Sequence, residues 1–176
     1  LFFLIGRNLK DQPRYVQALL PRLRAEGHAI GNHSWSHPQL PPLAPAALAR
    51  EIGETRELLA TTTAGSSVQT NLFRPPYGAR NDGVLGEVEH QGLRSVLWNI
   101  DSEDWSDPVP ESIAHRVVQE TERQGRGIIL LHDIHARTVQ ALPLIITELK
   151  RRGYAFARVE NGRVSADAPP RVSSTV

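Results

Sequence analysis

The chain has 176 residues, of which 40% are hydrophobic and 22% are charged, and this composition predicts one globular domain with its own core. Twenty basic residues nearly balance nineteen acidic ones, which excludes the strong field that would attract a nucleic acid or an anionic membrane surface. Without cysteine, the chain cannot form disulfides, thiolate nucleophiles or cysteine metal sites, and no apolar run approaches the roughly 20 residues of a membrane span.

The first half of the chain alternates short apolar segments with amphipathic ones. The predicted elements are a strand at residues 1–5, a helix at 13–26, a strand at 29–31, a helix at 45–60 and a strand at 72–73. A Thr-, Gly- and Ser-rich stretch at 61–71 is predicted to be a surface connection. Polar turns follow two of the strands, at 33–37 and at 74–78.

The second half repeats this alternation. The predicted elements are a helix at 82–91, a strand at 94–100, a helix at 110–124, a strand at 127–131, a helix at 138–152 and a strand at 154–159. Residues 1–160 are expected to form the domain, and 161–176, which show no periodicity, a frayed C-terminal tail or linker. Such alternation predicts β/α units around a parallel sheet, either open or closed into a barrel. These folds carry their chemistry at the carboxyl ends of the strands.

Two histidines, His33 and His37, stand four residues apart in a loop directly after a predicted strand. This spacing lets both rings converge on one metal ion, with zinc as the first expectation. The same spacing also fits two unrelated polar residues on the surface. Other features of the chain must decide between these interpretations.

The segment that begins at Arg74 continues with two prolines, Tyr77 and a glycine. Consecutive prolines fix φ, so the arginine is held rigidly at the end of a strand, which suits a positioning role. A tight turn whose arginine pairs with a surface carboxylate is the alternative interpretation.

Two further polar segments end predicted strands. An acidic cluster with Asp101 and Asp104 precedes Trp105, a combination often found at sugar sites, although it could also be a solvated acidic loop. Trp98, inside the preceding strand, is expected in the core. An apolar strand ends in Leu131 and His132, which places an imidazole where it could act as an acid or base, unless it is simply a satisfied core histidine.

In order and spacing, these four segments resemble the motifs of the polysaccharide deacetylases of the NodB-homology type, carbohydrate esterase family 4. The resemblance covers roughly residues 1–159. The family motif H-S/T-x-x-H is similar to residues 33–37, R-x-P-Y to 74–77, D-x-x-D-W to 101–105 and L-x-H to the segment ending at His132. The resemblance implies a distorted (β/α) barrel and hydrolysis of an acetamide on an N-acetylated sugar.

The resemblance also implies a role for each matching residue. His33 and His37 would hold the metal, which would be zinc, with cobalt or nickel as possible substitutes. His132 would be the general acid. The remaining roles would be orientation of that histidine by Asp104, positioning of the base by Arg74, oxyanion stabilisation by the Tyr77 backbone N–H, and shaping of the groove and acetyl pocket by Trp105 and Leu131.

The chain departs from the family at its start. The family opens with a strand ending in T-F-D-D, whose aspartates supply the base and a third metal ligand, and no such motif occurs here. Residues 1–6 resemble the second strand of the family, and the chain has no methionine, so we expect the first strand upstream. A fragment of a complete enzyme is favoured over a naturally shortened, inactive relative. The isolated chain is then expected to bind zinc weakly and to show no measurable deacetylation.

Several alternatives remain open from the sequence. A deformylase or a ring-opening amidohydrolase could use the same scaffold, and a non-catalytic carbohydrate-binding protein could keep the groove without the chemistry. The expected partner is an N-acetylated polysaccharide or oligosaccharide, either peptidoglycan or chitin-like, rather than a nucleic acid. Such a substrate favours an extracytoplasmic location, although no targeting signal is visible in the chain.

Overall fold

The computed structural model describes residues 1–62, 71–160 and 163–166. Its helices and strands alternate along the chain in this order: β1 (Phe2–Leu4), α1 (Gly6–Asp11), α2 (Pro13–Ala25), β2 (Ile30–Asn32), α3 (Pro45–Thr62), β3 (Leu72–Phe73), a 3₁₀ turn (Pro76–Gly78), α4 (Asp82–His90), β4 (Arg94–Ser95), β5 (Ile100–Asp101), α5 (Pro110–Gln124), β6 (Ile129–Leu130), α6 (Ala136–Arg151), β7 (Ala157–Glu160) and β8 (Arg163–Ala166). Among these described helices, none is long and apolar enough to cross a membrane. The predicted connection at 61–71 lies mostly outside the described residues.

The described chain forms two compact units, and the expectation of one domain at residues 1–160 stays a prediction. The first comprises Leu1–Leu97 with Arg158–Ser165, and the second is built on Trp98–Ala157. In the first unit, β1 to β4 form a parallel sheet in sequence order, with Phe3 opposite Gly31 between β1 and β2. In the second, β5 and β6 pair in parallel. Parallel pairing is the arrangement predicted from the alternation of strands and helices.

Each unit has buried apolar clusters that anchor its helices to its strands. In the second unit, α5 and α6 pack on β5 through fully buried side chains such as Ile113, Val117 and Ile145. In the first unit, α3 contributes Ile52 to one cluster and Leu59 to another. Fully burying side chains of this size stabilises each unit by about 1.5–3 kcal/mol apiece, which keeps the strand ends and their loops in place.

The predicted strand at 94–100 is wrong as a single element. Only Arg94–Ser95 and Ile100–Asp101 are strands, and they belong to different sheets. Between them, the carbonyls of residues 96 and 97 accept hydrogen bonds from the Arg74 side chain. The Asn99 side chain accepts the backbone N–H of residue 128 at 2.9 Å. Side chains therefore bind backbone groups that a continuous ladder of strand hydrogen bonds would have used. Trp98, which was expected in the core, is only half-buried.

Two further elements differ from the sequence prediction. Helix α1 was not predicted, and it begins where the backbone N–H groups of Gly6 and Arg7 donate to the carbonyls of Ser34 and Trp35 at 3.0 and 2.9 Å. The expectation of a structureless tail is wrong for Arg163–Ala166, because this segment pairs with β7. Helix α1 depends on contacts with a distant part of the chain, which local periodicity does not report, whereas β8 pairs with β7, the strand just before it in the sequence. Residues 161–162 and 167–176 of the predicted tail lie outside the described residues.

Candidate functional site

Residues 33–37 form the loop after β2, and its shape is set by buried polar side chains. The Asn32 amide donates to the carbonyl of Ile52 in α3 at 2.8 Å, and its Oδ1 accepts the backbone N–H of Ser34 at 2.9 Å. Ser34 is buried at a positive φ of 64°, and its Oγ accepts the backbone N–H of His37 at 2.9 Å. These local bonds satisfy the backbone of a turn that no sheet ladder continues. We call residues 33–37 the histidine loop.

A carboxylate from helix α3 binds the middle of the histidine loop. Oε2 of Glu51 accepts the backbone N–H groups of Trp35 and Ser36 at 3.0 and 2.9 Å, and its Oε1 accepts the Ser36 hydroxyl at 2.7 Å. Hydrogen bonds to an ionised acceptor are stronger than neutral ones. The segment between the two histidines is thereby attached to α3.

The histidine loop brings its two predicted metal ligands together. The ring centroids of His33 and His37 are 4.7 Å apart with their planes at 75°. Nδ1 of His33 lies 2.7 Å from the carbonyl oxygen of Arg74. A carbonyl oxygen only accepts, so the proton is on Nδ1, and the lone pair that could coordinate a metal ion is on Nε2.

Arg74 is a buried residue whose side chain is tied to the protein backbone. It is 8% exposed, and its Nε and Nη2 donate to the carbonyls of Val96 and Leu97 at 3.1 and 3.4 Å. Its guanidinium also lies 4.2 Å from the ring centre of Phe3. Burial lowers the pKa of Arg74 to about 10, so it stays charged at neutral pH. Arg74 is therefore buried rather than on the surface, and its role in positioning a base stays a prediction.

Tyr77 follows the two prolines with a strained backbone. Its φ is 59°, a left-handed value, which costs an L-residue on the order of 1–3 kcal/mol. Its side chain is 62% exposed, and its ring contacts that of His37 with centroids 4.7 Å apart. Rigid backbone next to a predicted metal ligand suits the oxyanion role implied for its N–H, a role that remains a prediction.

The donors of the histidine loop fit a zinc site in part. Zinc accepts neutral imidazoles, and the fixed tautomer of His33 presents the required lone pair. Catalytic zinc usually takes three protein ligands. Across residues 1–62, 71–160 and 163–166, no group of three or more His, Cys, Asp or Glu side chains could hold a metal ion. Within these ranges the pair accounts for two ligands, so the third ligand remains an expectation.

In the second unit, Asp104 and His132 form a hydrogen-bonded pair. Oδ1 of Asp104 lies 2.7 Å from Nδ1 of His132, and its Oδ2 accepts the His132 backbone N–H at 2.6 Å and the Thr138 hydroxyl at 2.7 Å. Burial of Asp104 by itself would raise its pKa, but the hydrogen bonds from His132 and Thr138 outweigh this effect and lower the pKa to about 2. The carboxylate is therefore an anion at neutral pH, and its charge favours the protonated form of the imidazole.

The loop that carries Asp104 and Trp105 is held by arginines from two helices. Arg137 of α6 donates from Nε to the carbonyl of Asp104 at 2.7 Å and from Nη2 to that of Trp105 at 3.0 Å. Arg116 of α5 donates to the carbonyl of Ser102 at 2.7 Å. The Trp105 residue is nevertheless 60% exposed. An exposed indole on a backbone held in this way suits contact with the apolar face of a sugar ring.

The predicted site residues fall into two groups, one in each unit. His33, His37, Arg74 and Tyr77 come together in the first unit, and Asp104, Trp105, Leu131 and His132 belong to the second, where Leu131 packs partly buried against the core cluster. Sequence reasoning missed the residues that hold these groups in place: Asn32, Glu51, Arg116, Arg137 and Thr138. Of these, Thr138 could have been found most easily from the sequence, because it lies in the first turn of the helix that follows His132.

Comparison with known proteins points to one family. The family model for polysaccharide deacetylases matches residues 1–96. The chain is 34% identical over 158 residues to the peptidoglycan-N-acetylmuramic acid deacetylase PdaC of Bacillus subtilis, covering 90% of this chain and 31% of that protein. It is 37% identical over 169 residues to a chitooligosaccharide deacetylase of Rhizobium leguminosarum bv. trifolii, covering 88% of this chain and 74% of that protein. The chain thus spans about a third of PdaC and about three quarters of the rhizobial enzyme.

Solved structures confirm the expected fold class. A family 4 carbohydrate esterase from Streptomyces lividans, solved with acetate, superimposes with a TM-score of 0.76 at 31% identity, covering 93% of this chain and 81% of that one. BA3943 of Bacillus anthracis, described as a pseudoenzyme of carbohydrate esterase family 4, gives a TM-score of 0.74 at 26% identity, covering 87% of this chain and 51% of that one. The chain therefore has the fold class of these esterases, a (β/α) barrel, with β1 to β4 and β5 with β6 paired in parallel.

Proposed function

Because the chain belongs to the polysaccharide deacetylase family, carbohydrate esterase family 4, we propose that it catalyses removal of N-acetyl groups from an N-acetylglucosamine-containing polysaccharide. The observation that carries this proposal is the Asp104–His132 pair, because a buried carboxylate on Nδ1 prepares an imidazole to deliver a proton from Nε2. The names of the relatives, which act on peptidoglycan and chitooligosaccharides, support the substrate class.

The reaction replaces the amide C–N bond of the acetamide by a C–O bond from water, releasing acetate and a free sugar amine. The nitrogen leaves only when it gains a proton, and His132 supplies that proton. Asp104 stabilises the charged ring beforehand and keeps its Nδ1 occupied, so that the transferable proton is on Nε2. When the ring loses its proton, its neutral form remains hydrogen-bonded to the carboxylate.

His33 and His37 would hold a divalent metal ion, with zinc proposed first and cobalt or nickel as substitutes. When bound, the metal would supply Lewis acidity that polarises the acetyl carbonyl and activates water. The Arg74 carbonyl keeps His33 in the tautomer that coordinates a metal. For the remaining residues we propose that Tyr77 N–H helps to stabilise the oxyanion, that the Arg74 side chain orients the base, and that Trp105 and Leu131 contact the substrate.

The test is acetate release from chitooligosaccharides and from peptidoglycan, using the longest form of the protein that its gene encodes. We expect zinc-dependent acetate release that is lost on chelation and restored by added metal. His132→Gln should lower kcat by about 100-fold or more, the usual contribution of a general acid. His115→Gln, at an exposed position on α5, is the matched control and should leave kcat unchanged. Full activity in His132→Gln would refute the proposed acid.

Three alternatives predict different products. Formate release in place of acetate would indicate a deformylase, and ring opening of a cyclic amide would indicate an amidohydrolase. Binding of the oligosaccharide without release of acetate or formate would indicate a non-catalytic carbohydrate-binding relative. The structural similarity to BA3943, which is described as a pseudoenzyme, is the reason to measure binding as well. A wall polysaccharide as substrate would also favour an extracytoplasmic location, which fractionation of the source cells would test.

A further inference from the structure

We propose that Glu51 is a positioning residue for the metal-binding pair: its carboxylate fixes the histidine loop and thereby raises the affinity of His33 and His37 for zinc. The inference rests on the proposed function only in taking the two histidines as metal ligands. Glu51 lies outside every motif identified in the sequence, and it acts from helix α3.

The contacts of Glu51 fall between the two proposed ligands. Trp35 and Ser36 are the residues bound by its carboxylate, through two backbone N–H groups and one hydroxyl. The positions of these two residues determine how far apart, and at what angle, the flanking histidine rings lie. One carboxylate with three donors therefore holds the part of the loop that sets the ligand geometry.

Helix α3 also holds the start of the loop, through the bond from the Asn32 amide to the Ile52 carbonyl. Ile52 is fully buried, so the helix is anchored in the core at the position next to Glu51. The histidine loop is thus attached at two points to one rigid element. Loss of the Glu51 attachment removes the acceptor of the Trp35 and Ser36 N–H groups, and the middle of the loop is then held through the Ser34 and Trp35 carbonyls, which accept from α1.

Geometry and charge can be separated with two substitutions at the same position. In Glu51→Gln, the side-chain oxygen can accept both backbone N–H groups while the amide nitrogen donates to the Ser36 hydroxyl oxygen, so the loop keeps its shape without the charge. In Glu51→Leu, both N–H groups lose their acceptor. Glu54→Leu is the matched control, because Glu54 is an exposed carboxylate on the same helix and lines the same cleft as Glu51.

The first measurement is zinc affinity by isothermal titration calorimetry on the longest encoded form. Glu51→Leu should bind zinc about 10-fold more weakly or worse, as is typical when the support of a metal ligand is lost. Glu51→Gln should stay within about 3-fold of the wild type, and Glu54→Leu should match it. Wild-type affinity in Glu51→Leu would overturn the inference, and so would equal losses in Glu51→Gln and Glu51→Leu, since these would indicate charge alone.

The second measurement needs no metal. Long-range ¹H–¹⁵N NMR of the metal-free protein reports the His33 tautomer, which should be Nδ1–H in the wild type and Glu51→Gln. In Glu51→Leu the loop should move away from the Arg74 carbonyl, and the Nε2–H tautomer should appear. An unchanged tautomer would overturn the inference. Absence of zinc binding by the wild type would instead refute the proposed metal site, and the tautomer would still decide the role of Glu51.

Discussion

Replacing Asp104 by asparagine removes a buried carboxylate that accepts bonds from the His132 ring, the His132 backbone and Thr138. These bonds lower its pKa from 3.8 to about 2 against the opposing effect of burial. A pKa difference of one unit between the folded and unfolded states corresponds to about 1.4 kcal/mol, so the ionised carboxylate adds about 2 kcal/mol to the free energy of unfolding. Because the folded-state pKa is the lower one, this contribution is fully present above about pH 4 and is lost as the pH falls through about 2.

The assay is urea unfolding of the wild type and Asp104→Asn at a series of pH values between about 6 and 2. The difference in unfolding free energy between them should shrink by about 2 kcal/mol across this range, since only the wild type gives up the contribution of the carboxylate. Asp133→Asn, at an exposed position beside His132, should track the wild type within about 0.5 kcal/mol. If the unfolding free energies of the wild type and Asp104→Asn changed with pH in parallel, the low pKa assigned to the Asp104 carboxyl would be refuted.

Gly6→Ala should destabilise the protein by about 1–3 kcal/mol, because an added Cβ would lie only 2.6 Å from the Trp35 ring, whereas Gly86→Ala in α4 meets nothing within 4 Å and should be neutral or slightly stabilising. Equal effects in urea unfolding would contradict this steric argument. Asn81→Ala should cost about 1 kcal/mol, because its side chain caps α4 by accepting the N–H of residue 84 at 2.9 Å. An unchanged unfolding free energy would show that this cap contributes nothing.

Much of the site could be predicted because its residues follow strands. The spacing of His33 and His37 left a metal pair and two unrelated surface residues both open, and the family resemblance favoured the pair; the two rings lie 4.7 Å apart. The pairing of Asp104 with His132 came from the family resemblance, and the structure places Oδ1 2.7 Å from Nδ1. Their catalytic and metal-binding roles remain predictions.

Other features could not be read from periodicity. Residues 94–100 are apolar enough to predict one strand, yet Arg74 and Asn99 capture the backbone groups that would have continued it. Helix α1 has no amphipathic signal over its six residues and begins on carbonyls of the histidine loop. In each case a bond to a residue far away in the chain decided the local conformation.

The sequence by itself determined most of the alternation of strands and helices, the parallel class of the sheet and the motif residues, because these depend on hydrophobic periodicity and on spacing within short segments. Only the tertiary structure decided which helix residues hold the motifs in place. Glu51 and Thr138 are ordinary polar residues on helices, and their importance appears only when folding places them at hydrogen-bonding distance from the histidine loop and from Asp104. Such contacts depend on how helices pack against strands, and helix packing is set by the buried core as a whole.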